Sequence, residues 1–184
     1  MRYYFGRCSN FVAPSKWKAV LRWLLICAAA MLIGGVVGYT AMTAILSGAF
    51  AKDKTFSTSD ISITLTEAFD MQPSFTHDAV FKSMNVSVYA DKDEKADGLG
   101  ITTAKQYADY IIAKNDLREC SVTDEGEVAY FVYTSSTAGG EYRYYAYAYK
   151  DGEEYWLVQF ALSENMAWLY SGKIDNWADS VIFN

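Results

Sequence analysis

One histidine, His77, and three cysteines, Cys8, Cys27 and Cys120, are all the imidazole and thiol groups in the 184-residue chain. A zinc site or a nucleophilic triad needs several such groups brought together, so neither chemistry has its parts. His77 stands beside Asp78, but adjacent residues in a strand or loop point apart, and the expectation is an exposed loop histidine. Cys8 and Cys27 fall before or within a long apolar run, which leaves Cys120 alone beyond it and no disulfide within that part. Cys120 reads as a buried small hydrophobe; the competing reading is a thiol that links two copies. The fold must therefore stand on its core. Acid is missing from residues 1–51, where Arg2, Arg7, Lys16, Lys18 and Arg22 give a charge of +5. Residues 52–184 carry eleven Lys or Arg against twenty-two Asp or Glu, a charge of −11. A domain that acidic repels phosphate backbones, which excludes nucleic acid as a partner.

The apolar run from Trp23 to Phe50 separates these two parts. Its uncharged core, about Leu24 to Leu46, is on the order of the twenty residues that a bilayer requires. Basic residues ahead of it predict an N-terminus inside, a C-terminal domain outside and a single pass through the cell membrane. Phe11, Trp17, Lys16 and Lys18 suit the headgroup region of the lipid bilayer, the first partner the sequence implies. The resulting organisation is a short basic cytoplasmic lead (1–22), a transmembrane anchor (23–50), a tether (51–60) and an extracytoplasmic domain (61–184). A cleaved secretory signal competes with the anchor, because Ala49-Phe50-Ala51 has the small-x-small pattern of a cleavage site. The run is longer than the roughly 7–15 apolar residues of a signal, which favours retention. Within it, Ala30, Gly34 and Gly38 recur every fourth residue and form a candidate helix-pairing face, which would serve a homodimer.

Beyond the tether, Ile61–Thr66 alternates apolar and polar residues as a half-buried strand does. Phe69 and Met71 are expected in a loop broken by Pro73. Ala79–Phe81 and Val86–Tyr89 read as strands. In the charged stretch Asp91–Gly98, Asp93, Asp97 and Gly98 match the first, fifth and sixth places of a calcium loop. Lys95 and Ala104 occupy the third and twelfth places, where acids are needed, so a solvated loop is expected. Thr102 or Thr103 caps a helix running to about Asn115, with Ala104, Tyr107, Ala108 and Ile111 as its apolar stripe. The chain then re-enters strand around Arg118–Thr123. Glu127–Ser135, Glu141–Lys150 and Glu154–Leu162 form an antiparallel meander, turned at Gly139-Gly140 and Asp151-Gly152. Ser163 is expected to cap a last helix, Glu164 to about Ala178, with Met166, Tyr170, Ile174 and Trp177 as its stripe. Val181-Ile182-Phe183 closes the chain as a short strand or docking tail. The fold class is α+β: an N-terminal transmembrane helix, then an antiparallel sheet packed with helices.

Eight of the fifteen tyrosines lie in the meander. Tyr142, Tyr144, Ala146 and Ala148 share one face of its middle strand; Arg143, Tyr145, Tyr147 and Tyr149 share the other. The second set is the candidate binding surface, with flat rings and hydroxyl tips reaching solvent. The plain structural reading is that tyrosines favour strands and pair across them.

This order of elements resembles the PsbP-like α/β/α sandwich found in photosystem extrinsic subunits and in small membrane-anchored bacterial proteins. The resemblance spans about Phe56 to Phe183. It rests on Phe56-Ser57 leading into Asp60–Leu65 with Phe69 after it, on Tyr155–Phe160, and on Trp177 preceding Ser180-Val181. Leu65-Thr66 departs from the Leu-Pro often found there. The resemblance implies an accessory or binding scaffold without catalysis or cofactor, contacting a membrane or envelope protein, and transfers no binding residue. A sensor or regulatory subunit of a membrane complex is an alternative. A hydrolase built on paired carboxylates, for which Glu125/Glu127 and Glu153/Glu154 are the nearest pairs, is another.

Overall fold

The structure is a computed structural model that describes residues 16–46, 51–93, 96–117, 120–137 and 139–184. Most of the basic lead, and two of the three residues of the cleavage-like pattern, lie outside them. Two units emerge, divided after Leu46.

The first unit is helix α1, Lys16–Leu46. Its window Leu25–Thr43 is 19 residues long with a mean hydropathy of 2.0, long and apolar enough to cross a membrane. At ~1.5 Å per residue that window spans roughly 29 Å, close to a hydrocarbon core. Its threonine hydroxyls are satisfied internally: Thr40 Oγ1 donates to the Val37 carbonyl (3.0 Å) and Thr43 Oγ1 to that of Thr40 (2.9 Å). Ala30, Gly34 and Gly38 are exposed along it, and a Cβ placed on either glycine would meet nothing within 4 Å.

The second unit opens with β1 (Asp53–Ser57), antiparallel to β2 (Ile61–Thr66). This corrects the expectation of a tether over 51–60. Phe56 is the only apolar side chain in β1, so no alternation could announce the strand; its burial against Phe81 holds it in place. Thr58 shapes the hairpin, its hydroxyl accepting the Ile61 N–H (3.1 Å).

Next come β3 (Asp70–Gln72), β4 (Ala79–Lys82) and β5 (Val86–Lys92). Strand β3 includes Met71, where a loop was expected, and β5 runs on through Asp91 and Lys92, taking both out of the anticipated charged loop. Glu94 and Lys95 lie outside the described residues; a 3₁₀ turn follows at Ala96–Leu99. Helix α2 (Ala104–Lys114) starts where the sequence indicates: Thr103 Oγ1 accepts the Gln106 N–H (3.1 Å), and Gln106 Oε1 accepts the Thr102 N–H (2.8 Å). This reciprocal pair satisfies two otherwise orphaned donors.

Strand β6 is only Thr123–Asp124; Arg118 and Glu119, at the start of the strand expected there, lie outside the described residues. Strands β7 (Val128–Thr137), β8 (Gly140–Asp151) and β9 (Glu154–Ser163) form the meander. Its turns use positive φ at Gly140 (+121°) and Gly152 (+60°), which glycine accepts without a Cβ clash. A 3₁₀ turn at Glu164–Met166 leads into α3 (Ala167–Asp179). The Ser163 side chain makes no capping hydrogen bond, because the helix proper begins only after that turn. The final strand, β10 (Ile182–Phe183), pairs with β2.

Seven strands form one antiparallel sheet in the order β3-β4-β5-β9-β8-β7-β6, and β1-β2-β10 form a second. One face of the large sheet, with Phe81, Val88, Trp156, Val158, Phe160 and Leu162, packs against α3 and the small sheet. Trp177 of α3 lies edge-on to Phe69 (5.3 Å) and stacks on Phe160 (6.2 Å). On the other face, α2 sets Ala104, Tyr107, Ala108 and Ile111 on Ala129, Phe131, Ala146, Ala148 and Leu157. Three alanines on the sheet let the helix approach closely. The layers are helix, sheet and helix, with the small sheet beside α3.

Candidate functional site

The residues singled out on β8 point into the sealed side. Tyr147 and Tyr149 are 5% and 6% exposed. The Tyr147 hydroxyl donates to Asp175 Oδ1 of α3 (2.6 Å), and that of Tyr149 to the Ala178 carbonyl (2.9 Å). Burial pushes both phenols above their ordinary range. Tyr145 is half-buried against the same core. Arg143 is held by Glu164, with Nε donating to Oε2 at 2.8 Å and the second nitrogen to Oε1. The expectation of a solvent-reaching face is corrected at Tyr147 and Tyr149, while Tyr145 keeps part of its surface. Alternation sorts β8 into two faces properly, but it cannot say which face a helix will cover.

The opposite face carries the open tyrosines. Helix α2 has 11 residues, about 16 Å, whereas the 12 residues of β8 extend about 40 Å. The cluster it seals includes Ala146 and Ala148 but neither Tyr144 nor Tyr142. Register aligns Ser87, Ala161, Tyr144 and Tyr133 in one row across β5, β9, β8 and β7. Tyr133 and Tyr144 stack nearly parallel, with centroids 4.7 Å apart and 5° between planes. The Tyr133 hydroxyl donates to Gln159 Oε1 (2.6 Å), which fixes that ring. Tyr89, Tyr133, Tyr142 and Tyr144 are all half-buried, so each keeps surface for contact while its position is set by its neighbours. Ala161, between Tyr144 and Ser87 in that row, is itself buried.

Three hollows that share lining residues lie along α2 on this face. The middle one, about 310 Å³, lies among Ile111, Asn115, Leu117, Tyr133, Leu157 and Gln159. Toward β5, a hollow of about 490 Å³ shares Ile111 and Leu157 with it and is bordered by Asp78, Asp91, Asp93 and Lys114. Toward β7, one of about 470 Å³ shares Leu117 and Tyr133 with it and reaches Cys120, Thr134 and Arg143.

His77 stands at the β5 end in the loop before β4, as expected, but it is part-buried and paired rather than free in solvent. Its Nδ1 lies 2.8 and 3.0 Å from the two oxygens of Asp91, and its ring packs on Tyr89 (4.9 Å). Ser74 Oγ accepts the His77 N–H (3.0 Å) and turns the loop back. Fourteen residues separate His77 from Asp91, so no local spacing could announce the pair. Burial raises the Asp91 carboxyl, His77 lowers it in part, and the neighbouring charge of Asp78 raises it further.

This surface offers aromatic contact, hydrogen bonding and negative charge. The Cys120 thiol, half-buried against the α2 core, is pushed up by burial, which keeps it protonated and poorly nucleophilic at neutral pH. Glu125, Glu127, Glu153 and Glu154 are exposed at hairpin turns rather than gathered in a pocket. Among the described residues no three His, Cys, Asp or Glu side chains group as metal ligands. Missed by sequence reasoning were Tyr89, Tyr133 and Gln159 as neighbours of Tyr144. The register of β5, β9 and β7 was the signal that would have found them.

No protein-family profile matches the chain, and no curated protein sequence matches it. Its fold is similar to the solution structure of cyanobacterial PsbP (CyanoP) from Synechocystis sp. PCC 6803. That likeness has a TM-score of 0.53 at 12% identity and covers 73% of this chain and 94% of that one. A crystal structure of a protein from Bacteroides thetaiotaomicron VPI-5482 aligns at 13% identity with a TM-score of 0.49, covering 71% of this chain and 48% of that one.

Proposed function

For this chain with a PsbP-like fold, we propose the role of a membrane-tethered, non-catalytic binding module. Helix α1 stays in the bilayer with its N-terminus inside, and the α+β domain meets a membrane or envelope protein outside. Support for the topology comes from the charge step, +5 before the apolar run and −11 after it. One observation carries the binding role: outside the cluster that α2 seals, the same sheet face bears half-buried tyrosines beside a row of hollows. Rigid aromatic rings with polar tips supply contact area at little cost in side-chain entropy. Glycan or peptide would meet the same chemistry, but hollows spread over several strands suit a protein surface.

The test is affinity capture of the full-length chain from crosslinked membranes, comparing the native protein with Tyr144→Ser. A specific partner that is lost with the serine variant, at unchanged membrane content, supports the reading. Capture indifferent to Tyr144 contradicts it.

A further inference from the structure

Met84 and Trp168 are 94% and 59% exposed, two large apolar side chains at the end of the α+β domain where the chain enters it. Pairing and hydrogen bonds put them there. The Lys52 carbonyl accepts the Glu67 N–H (2.7 Å), three residues later Asp70 pairs with Lys82, and Met84 lies in the turn from β4 into β5. Asn85 Nδ2 donates to the Tyr170 hydroxyl (3.0 Å), which joins that turn to the first turn of α3, where Trp168 stands. Ala51 shares a hollow with Lys173 and Asn176 further along α3.

Exposure alone does not select this end, because exposed apolar residues are ordinary. Phe75 is fully exposed and Leu99 half so at the opposite end. The loop of Phe75 is held there by His77 and Asp91, near the finish of β5, and Leu99 follows β5. Chain length does select. Helix α1 ends at Leu46, and only residues 47–50 precede Ala51. Five steps of chain reach about 18 Å at full extension. With the helix in a bilayer, a leash that short keeps the entry end near the headgroups. An indole ring favours that level, and a flexible thioether fills irregular apolar gaps.

We propose that Met84 and Trp168 seat the entry end of the domain on the lipid surface, within the headgroup region of zwitterionic lipid. This rests on the membrane-tethered reading and adds a second, non-covalent hold to it. Charge decides the kind of lipid. Residues 52–184 carry −11, which an anionic surface repels, so the contact is apolar and indifferent to salt. The end itself is of mixed sign, with Lys52 beside Glu67 and Lys82 opposite Asp70. Seating also orients the open tyrosines. Tyr142 and Tyr144 pair with Ser163 and Ala161 where β9 approaches α3, so they lie toward the bilayer, where a membrane partner would meet them.

The test uses the full chain in phosphatidylcholine nanodiscs whose acyl chains carry a nitroxide near the headgroup. A fluorescent amino acid replaces Ala68, exposed at the entry end, or Phe75 at the opposite one. Each is read at the natural spacing and with about twenty Gly/Ser residues inserted before Ala51, a flexible addition spanning roughly 25 Å. Quenching at 68 and not at 75 is expected in both forms, and should persist in about 1 M salt. In the lengthened form, Met84→Ser and Trp168→Ser should each lower the ratio of seated to free domain roughly tenfold, the effect of losing one large apolar contact. Met84→Ser decides the matter if Trp168→Ser misfolds. Quenching that vanishes on lengthening means that the leash alone held the end down, and overturns the inference. Equal quenching at 75, or quenching indifferent to both substitutions, overturns it too. If the chain stays in the nanodiscs with 68 unquenched, only the seating falls; if it leaves them, the tether reading falls with it.

Discussion

The two faces of the large sheet carry the same kind of residue in two different states. On the α3 side, Tyr147 and Tyr149 are buried and spend their hydroxyls on Asp175 and the Ala178 carbonyl. On the α2 side, Tyr142 and Tyr144 lie outside the cluster that α2 seals, Tyr133 packs at its margin, and all three remain half-exposed. Composition and strand propensity are alike on both sides. What differs is the cover: a 13-residue helix plus a three-stranded sheet on one face, an 11-residue helix on the other. A tyrosine-rich strand is thus structural or available according to what packs over it.

The sharpest way to break this comparison is to empty the sealed side. Trp177→Ala or Phe160→Ala should cost about 3–5 kcal/mol, because each removes a fully packed ring and leaves a cavity. Urea unfolding of the full chain in detergent measures it. A loss below about 1 kcal/mol would mean that the face is not sealed.

Smaller effects should follow from removing single hydroxyls there. Tyr149→Phe leaves the Ala178 carbonyl without its side-chain partner and should cost about 1–2 kcal/mol. Tyr147→Phe should cost about 1 kcal/mol. Neither should change partner capture. On the open side the pattern inverts: Tyr144→Ser should lose the stacked pair, about 0.5–1.5 kcal/mol, yet abolish capture.

The smallest expected effect concerns His77 and Asp91. The folded-state carboxyl of Asp91 is held above its ordinary value of 3.8. Between the unfolded and the folded pKa, the folded chain keeps a proton that the unfolded chain has lost. Stability attributable to Asp91 therefore falls as pH rises from 3.8 through the folded pKa, and is level above it. Asp91→Asn should remove this fall. His77→Gln takes away a group that lowers the carboxyl, so the fall should extend to higher pH. Urea midpoints collected through the acidic range check both; identical profiles for the native chain and Asp91→Asn would contradict the assignment.

Much of the fold was legible because it rests on short-range patterns. Ile61, Ile63 and Leu65 alternate, Ala104, Tyr107, Ala108 and Ile111 repeat at helical spacing, and Gly139-Gly140 and Asp151-Gly152 mark the turns; each appears where the sequence put it. The PsbP-like likeness holds as well, and Phe69, Trp156, Phe160 and Trp177, among the residues that suggested it, are in the core. Long-range pairing decided what was not legible. Strand β1 exists because Phe56 finds Phe81, and His77 is fixed by a carboxylate on another strand. The candidate site moved to the other face of β8 for the same reason: the residues were sorted properly, but the reach of α2 is set by tertiary packing.

The account turns on which face meets the partner, and site-specific photo-crosslinking asks this directly. A benzophenone amino acid is placed at Tyr144 on the open face, or at Ser171 on the exposed side of α3, in the full-length chain in native membranes. A discrete adduct from position 144 and none from position 171 is the predicted result. An adduct from 171 with none from 144 would place the partner on the α3 side and contradict the account.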